Sequence, residues 1–320
     1  ILHSSRMSPN ITQDAFYFIL TGIPGFEDHH IWISIPFCCF YIISVLGNST
    51  ILTVIHTEPS LHQPMFLFLS MLALTDLGLT LTTLPTVMQL FWFNIRKISF
   101  EGCFAQLFFL HGFSFMESSV LVAMSFDCYV AICRPLHYAS ILTSEVIGRI
   151  GLTIISCCVL AVLPSLFLLK CLPFCHSHLL SHSYCLHQDM IHLACADTRV
   201  NNWYGFALVL LITVMDPVLI VLSYAKILRS VLGASSKAER LRALNNCLSR
   251  ILAVLVLYVP IVGVSMTHCF AKHNSPLVHV IMANVYLLAP PVMNPIIYSI
   301  KTKQIRHGII RLLCPHNMHS

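Results

Sequence analysis

Two carboxylates interrupt long apolar stretches of the chain, and they are the residues there that are most able to do chemistry. Asp76 is the only charged residue of its stretch, and Glu117 shares its stretch only with Asp127. Two carboxylates in an apolar environment repel each other unless a cation or protons compensate their charge. Two alternatives stay open: a sodium site helped by Asn294 and nearby hydroxyls, or one protonated carboxyl that shares a hydrogen bond with the other.

The remaining reactive side chains form no recognised enzyme motif. The chain contains no HExxH, GxSxG or phosphate-loop sequence, so we expect no enzymatic activity and, the sodium ion aside, no cofactor. One histidine-rich stretch lies beside Cys175, and imidazole and thiolate are the usual ligands of zinc and copper. A metal site and a solvated loop both stay open for this stretch, which contains His176, His178, His182 and His187.

The composition indicates which solvent surrounds these groups. Only 10% of the 320 residues are charged and 57% are hydrophobic, whereas a soluble domain carries about 25% charged residues. So few charges cannot cover a soluble globule of this size, and the composition favours the lipid bilayer. The net charge of +5 is modest and dispersed, so we expect no nucleic-acid partner.

Seven long gaps between charges predict seven membrane-spanning helices, numbered here as spans 1 to 7. Each gap is at least as long as the roughly 20 residues that cross a bilayer. The predicted spans lie between Asp28 and Glu58 and at residues 65–93, 102–133, 150–169, 200–225, 251–271 and 273–300. We therefore predict an all-α membrane protein: a tail at residues 1–28, a seven-transmembrane helix bundle at 29–300, and a second tail at 301–320.

The second tail has the pattern of a helix lying on the membrane surface. Four apolar residues fall on one helical face, and basic residues beside them can meet lipid headgroups. The apolar face comprises Ile305, Ile309, Leu312 and Leu313. The pattern predicts a short amphipathic helix after span 7. Cys314 at its end is either palmitoylated or a free thiol.

The distribution of Lys and Arg predicts an extracellular amino terminus. In that orientation six of the 18 basic residues lie outside and the other twelve lie on the cytoplasmic side, as the positive-inside rule requires. The outside set is Arg6, Arg96, Lys97, Lys170, Arg199 and Lys272. Asn10 then begins a glycosylation sequon on the outer tail. Residues 1–10 contain no apolar stretch of signal type, so we expect span 1 to direct insertion.

Five of the 14 cysteines lie at the predicted outer surface, where an oxidising environment allows disulfides. They are Cys103, Cys171, Cys175, Cys185 and Cys195. The sequence by itself leaves their connectivity open.

Five motifs, in order and at family spacing, resemble those of odorant receptors, a branch of the rhodopsin-like G-protein-coupled receptors. They are Gly47-Asn48, LHQPMFLFLSMLALTD at 61–76, MSFDCYVAICRPLHY at 124–138, Ser223-Tyr224 and PVMNPIIYS at 291–299. Phe26 and the loop at 176–197 resemble the class I subgroup, family 51-like. The resemblance covers all seven spans. It implies a plasma-membrane receptor that binds a small volatile odorant in the outer half of the bundle. It also implies activation of a stimulatory, olfactory-type heterotrimeric G protein, which raises cyclic AMP.

The resemblance also assigns individual residues. It implies disulfides Cys103–Cys185 and Cys175–Cys195, and it favours the sodium ion at Asp76, Glu117 and Asn294. Its ligand-binding positions are His111, Gln188 and Ser265, with Tyr258 as the floor of the pocket. Phe108, Phe113, Leu110 and Val262 are apolar neighbours that can accept an alkyl chain. Tyr224, Asn294, Pro295 and Tyr298 match coupling or switch positions, and the segment around Pro295 either rearranges on activation, as the resemblance implies, or is a static kink.

Three departures from the family pattern put parts of this assignment in doubt. Class I receptors for short carboxylic acids have an Arg where this chain has Cys269, so we expect weak recognition of acids or a preference for neutral odorants. The usual Asp-Arg-Tyr is Asp127-Cys128-Tyr129 here, and Arg250 replaces a His in span 6. Arg250 either reaches Asp127 as a semi-exposed pair contributing about 1 kcal/mol or faces the headgroups.

A small-solute transporter or channel is the alternative function. Seven spans are compatible with transport, but transporters often carry internal repeats and broken helices. We find no repeat in the sequence. A receptor should raise cyclic AMP with odorant, whereas a transporter should move solute without a G protein.

Overall fold

Long helices occupy all seven predicted spans of the computed structural model. The structure describes residues 17–23, 30–174, 178–233, 237–270 and 276–313, without the side chains of 30, 232–246, 264–270, 276 and 279. Spans 1 to 4 are His30–Thr57, Pro64–Phe93, Phe100–Cys133 and Ser144–Lys170. Span 5 runs through Arg199–Leu210, a π-helical turn at Leu211–Met215, and Asp216–Gly233; spans 6 and 7 are Lys237–Phe270 and Pro276–Lys301.

The apolar parts of these helices are long enough for a membrane protein. Six helices can cross a bilayer by length and composition, and the described part of span 6 adds a shorter apolar segment, Cys247–Gly263. The predicted seven-transmembrane helix bundle is confirmed.

Spans 4, 5 and 6 extend beyond their predicted ends. Span 4 begins at Ser144, where the Thr143 hydroxyl caps the helix by accepting from the Val146 amide at 3.3 Å. Span 6 begins at Lys237, so the basic stretch at residues 237–242 belongs to this helix. Charge-free gaps mark the part of a helix that must lie in hydrocarbon, whereas the helix itself continues into the polar interface.

A three-stranded sheet at one end of the bundle departs from the all-α prediction. Strands β1 (Tyr17–Leu20), β2 (Lys97–Ser99) and β3 (Leu179–Leu180) lie in the order β2-β1-β3. β1 pairs antiparallel with β2 and parallel with β3. Phe18 of β1 is fully buried in the apolar core beneath the sheet. The sheet joins the amino-terminal segment to two interhelical loops, and the half of the bundle below it is called the sheet end.

The predicted amphipathic helix is Lys303–Leu313, at the opposite end of the bundle. Ile305 is fully buried in the same apolar core as Val54 of span 1. Arg311 pairs with Glu58 at 3.0 Å. The helix is therefore held against span 1 and the residue that follows it by apolar and charged contacts.

Spans 1 and 7 approach each other closely at Pro295, the last proline of span 7. A Cβ at Gly47 would lie 2.8 Å from Cβ of Pro295, so only glycine fits at this crossing. Asn48 next to it donates from Nδ2 to the backbone oxygen of Pro291 at 2.9 Å. That bond uses a carbonyl that a proline-containing helix leaves without its usual partner. The Gly47-Asn48 motif therefore joins span 1 to the bendable part of span 7.

Candidate functional site

A disulfide anchors the loop between spans 4 and 5 to the sheet end of span 3. It links Cys103 to Cys185, the pair implied by the family resemblance. Gln106 supports this anchor, because its Oε1 accepts from the Cys185 amide at 2.8 Å while its Nε2 donates to Thr86 Oγ1 at 2.9 Å. Sequence reasoning missed Gln106. Cys195 is also disulfide-bonded, and its predicted partner Cys175 lies outside the described residues.

The anchored loop places a second imidazole against His111. Just after Cys185, the chain forms a short helix, His187–His192. The rings of His187 and His111 meet edge to face with centroids 6.0 Å apart. Both Nε2 atoms are buried and have no hydrogen-bond partner among the described residues. Burial lowers the pKa of His187, and a backbone hydrogen bond with Ser165 only partly opposes this.

A polar network lies deeper in the bundle, at the predicted floor of the pocket. Tyr258 is 9% exposed, and its hydroxyl shares a hydrogen bond of 2.8 Å with Ser118 of span 3. The Ser118 hydroxyl donates to the carboxylate of Asp216, the residue that follows the π-helical turn of span 5. The sequence offered one signal for this network, because Asp216 is the only charged residue of its apolar stretch.

Two other predicted ligand positions among the described residues are exposed rather than enclosed with His111. Gln188 is exposed on the loop helix, and Val262 is 54% exposed on the outer face of span 6. Phe108 is half-buried and packs edge to face on Phe109. The side chains of Ser265 and Cys269 lie outside the described residues, as does Asn10.

Two apolar grooves lie between neighbouring helices near this region. One has a volume of about 180 Å³ between spans 3 and 4, and the other about 520 Å³ between spans 2 and 3. Phe109 and Phe113 line both grooves, whereas His111 and Tyr258 line neither.

Asp76, Glu117 and Asn294 meet in the centre of the bundle. Asn294 Nδ2 lies 3.0 Å from Asp76 Oδ2 and 3.4 Å from Glu117 Oε1. All three side chains are buried, and Asn294 Oδ1 has no hydrogen-bond partner among the described residues. A free carbonyl oxygen beside two carboxylates fits a small cation, which takes oxygen ligands. One amide cannot neutralise two negative charges, so the cluster needs a cation or a proton.

A buried ion pair joins spans 3 and 6 at the end of the bundle opposite the sheet. Arg250 Nη2 lies 2.7 Å from Asp127 Oδ2, and Arg250 Nη1 donates to the Met124 carbonyl at 2.7 Å. The side chains of Arg250 and Asp127 are 7% and 1% exposed. The headgroup-facing alternative for Arg250 is therefore wrong, and so is the expected semi-exposure, because the pair is buried between spans 3 and 6.

Asp127 has a second partner from the loop after span 3. The Tyr138 hydroxyl donates to Asp127 Oδ1 at 2.8 Å. Burial raises the pKa of Tyr138, and the Asp127 carboxylate raises it further, so this hydroxyl stays a donor at neutral pH. Asp127 thus joins span 6 to the loop that follows span 3.

Residues beside the ion pair form an apolar cluster of spans 3, 5 and 6. Cys128, which stands where the family motif has Arg, lies with its Sγ 2.7 Å from Sγ of Cys247. Tyr129 and Tyr224 border the cluster, and the buried Tyr224 hydroxyl has no hydrogen-bond partner among the described residues. The buried Tyr298 hydroxyl of span 7 lies 3.9 Å from the Met124 sulfur.

Comparisons with known proteins agree with this architecture. A family model described as olfactory receptor matches residues 37–316. Human olfactory receptor 51Q1 is 78% identical over 97% of this chain and 98% of its own length. Human olfactory receptors 51G2 and 51L1 are 57% and 53% identical, covering 93% and 92% of this chain and 95% and 93% of their own lengths. The chain is therefore a multi-pass membrane receptor, not an enzyme, and it belongs to the olfactory receptor family, close to family 51.

Proposed function

We propose that this receptor binds a small volatile odorant at its sheet end and activates a stimulatory, olfactory-type heterotrimeric G protein, which raises cyclic AMP. The observation that carries the proposal is the pair of buried imidazoles, His111 and His187, whose Nε2 atoms lack partners among the described residues. Buried polar atoms without partners are costly. A ligand with one polar group in a mostly apolar site would supply the missing hydrogen bonds.

The sheet end faces the cell exterior in this proposal, and the receptor lies in the plasma membrane. The Cys103–Cys185 disulfide supports that orientation, because disulfides persist in oxidising surroundings. β1 is the first described segment and lies in the sheet at this end, so the chain enters span 1 from the extracellular side in this proposal. The excess of Lys and Arg on the other side agrees with it.

The charge state of the loop histidine favours neutral odorants such as alcohols, esters or lactones. His187 is neutral at physiological pH because burial lowers its pKa, so it can donate or accept a hydrogen bond but cannot neutralise a carboxylate. The family's acid-binding Arg is replaced by Cys269. A buried carboxylate without a cationic partner binds poorly.

Replacing Cys269 with arginine is expected to create a response to short fatty acids. A charge-assisted hydrogen bond contributes about 1.5–3 kcal/mol, so potency should rise roughly tenfold or more. Cyclic AMP responses to a fatty-acid series measure the change, and Cys269→Met is the uncharged control of similar size. A Cys269→Arg receptor that reaches the surface and gains no acid response would contradict the proposed position of the ligand.

A sodium ion held by Asp76, Glu117 and Asn294 would couple the proposed ligand site to the end of the bundle opposite the sheet. Asp76→Asn is expected to abolish the sodium dependence of agonist potency, because it removes a charge that compensates the ion. Dose–response curves in sodium and in choline at equal ionic strength measure this dependence. The exposed Asp197→Asn is the control. Sodium dependence that persists in Asp76→Asn would favour the protonated pair instead.

An odorant panel on surface-verified receptor tests the function itself. We expect at least one neutral odorant to raise cyclic AMP in cells that contain the olfactory-type G protein, and no response when that G protein is absent. Solute uptake that needs no G protein would indicate the transporter alternative.

A further inference from the structure

Two free thiols lie almost in bonding contact across spans 3 and 6. Cys128 and Cys247 are 119 residues apart in the chain, yet their Sγ atoms are 2.7 Å apart. Both are free cysteines, 4% and 1% exposed. A disulfide needs an S–S distance of about 2.0 Å, so a small side-chain movement separates the two thiols from a bond.

The surroundings of these thiols hold them in register. Ile227 and Val231 of span 5 cover them in one apolar cluster. Asp127 precedes Cys128, and Arg250 follows Cys247 by three residues, so the buried Arg250–Asp127 ion pair ties the same two helices together. The thiol contact and the ion pair therefore join the same part of spans 3 and 6.

We propose that Cys128 and Cys247 form a redox modification site, at which a peroxide oxidises the two thiols to a disulfide that joins spans 3 and 6. The disulfide fixes the arrangement in which the Arg250–Asp127 pair is closed. The effect of the disulfide on signalling rests on the proposed function. If the receptor activates a G protein, activation requires span 6 to move away from span 3 at the end of the bundle opposite the sheet. Formation of the bond itself does not rest on that function.

The reaction balances with a peroxide as the two-electron oxidant. One thiol loses its proton and its sulfur attacks a peroxide oxygen, the O–O bond breaks, and the leaving hydroxide takes up that proton, so that sulfenic acid and water form. The second thiol then attacks the sulfenic sulfur, the S–O bond breaks, and a second water leaves as the S–S bond forms. Two thiols and one hydrogen peroxide give one disulfide and two waters. Thiol–disulfide exchange with a reducing thiol pool restores both cysteines, so on the cytoplasmic side the bond is transient.

The first experiment detects the bond without any signalling readout. Full-length receptor in membranes is treated with hydrogen peroxide, remaining thiols are blocked with N-ethylmaleimide, and peptides are analysed by mass spectrometry. We expect a linked Cys128–Cys247 peptide that dithiothreitol releases. The link should be absent from Cys128→Ser and Cys247→Ser and should survive in Cys158→Ser, which removes another buried free cysteine.

Two results of this experiment would overturn the site. In one, both thiols remain free in peroxide-treated wild-type receptor. In the other, Cys247 is linked to Cys133, the half-buried free cysteine at the end of span 3, which a Cys133→Ser variant would reveal by losing the link.

The second experiment measures ligand-independent cyclic AMP before and after peroxide. Wild-type signalling should fall about threefold or more, because the disulfide shifts the two-state equilibrium toward the closed arrangement, and it should recover with reductant. Signalling by Cys128→Ser should not change. A linked peptide with unchanged signalling would refute the locking role, whereas a receptor that forms the link but never signals would refute the proposed function and leave the modification site standing.

Discussion

Arg250→Gln is expected to raise ligand-independent cyclic AMP signalling at least tenfold, because the lost interaction energy far exceeds the about 1.4 kcal/mol that corresponds to a tenfold change in an equilibrium constant. The Arg250–Asp127 pair is almost fully buried, and breaking such a pair leaves an uncompensated charge at a cost of about 3–5 kcal/mol. The substitution destabilises the closed arrangement more than the open one, because water would reach Asp127 once spans 3 and 6 separate. Basal cyclic AMP, normalised to receptor at the cell surface, measures the effect.

An exposed ion pair of similar geometry provides the matched control. Arg149 and Glu145 lie 2.6 Å apart, but both are 74% exposed, and such surface pairs contribute about 0–1 kcal/mol. Arg149→Gln should therefore leave basal signalling unchanged. The exchange of charges in Asp127→Arg with Arg250→Asp should restore part of the restraint. Unchanged basal signalling from well-expressed Arg250→Gln would mean that the pair does not restrain span 6.

Cys185→Ser is expected to remove most receptor from the cell surface. The Cys103–Cys185 bond closes a separation of 82 residues, and losing a native disulfide costs about 2–5 kcal/mol. The substitution also frees the loop helix that carries His187. Surface staining and the thermal denaturation of purified receptor measure the loss, and receptor that does reach the surface should respond to odorant at least about tenfold more weakly, as that energy implies.

Cys171→Ser separates this effect from the loss of any outer cysteine. Cys171 is exposed and free in the same loop region, so its replacement should change neither surface staining nor denaturation temperature. A Cys185→Ser receptor with wild-type denaturation temperature would contradict the anchoring role of the disulfide. In that case the hydrogen bond from the Cys185 amide to Gln106 would be enough to hold the loop.

The sequence predicted the polar groups inside the bundle better than it predicted their partners. Asp76 and Glu117 stand out by type, because a carboxylate in an apolar span is costly and must be compensated. Ser118 does not stand out, since a serine is common in any helix. Its contact with Asp216 and Tyr258 depends on how spans 3, 5 and 6 are rotated about their axes.

The sequence also predicted the positions of the helices better than it predicted their ends. Gaps between charges located all seven spans, but the start of span 6 lies 14 residues before the predicted Ile251, at Lys237. The π-helical turn at Leu211–Met215 and the small sheet also went unpredicted. Strands of two to four residues are too short to show an alternating pattern.

The sequence by itself determined that this chain is a seven-helix membrane protein with odorant-receptor motifs. Hydrocarbon excludes charge, so the positions of the charges along the chain define the spans. Only the tertiary structure decided which side chains meet. Arg250 and Asp127 are 123 residues apart in the chain, and Cys128 and Cys247 are 119 apart. Such contacts are set by helix rotation and packing, which a single sequence does not encode locally, because a buried side chain of given type can face any neighbouring helix.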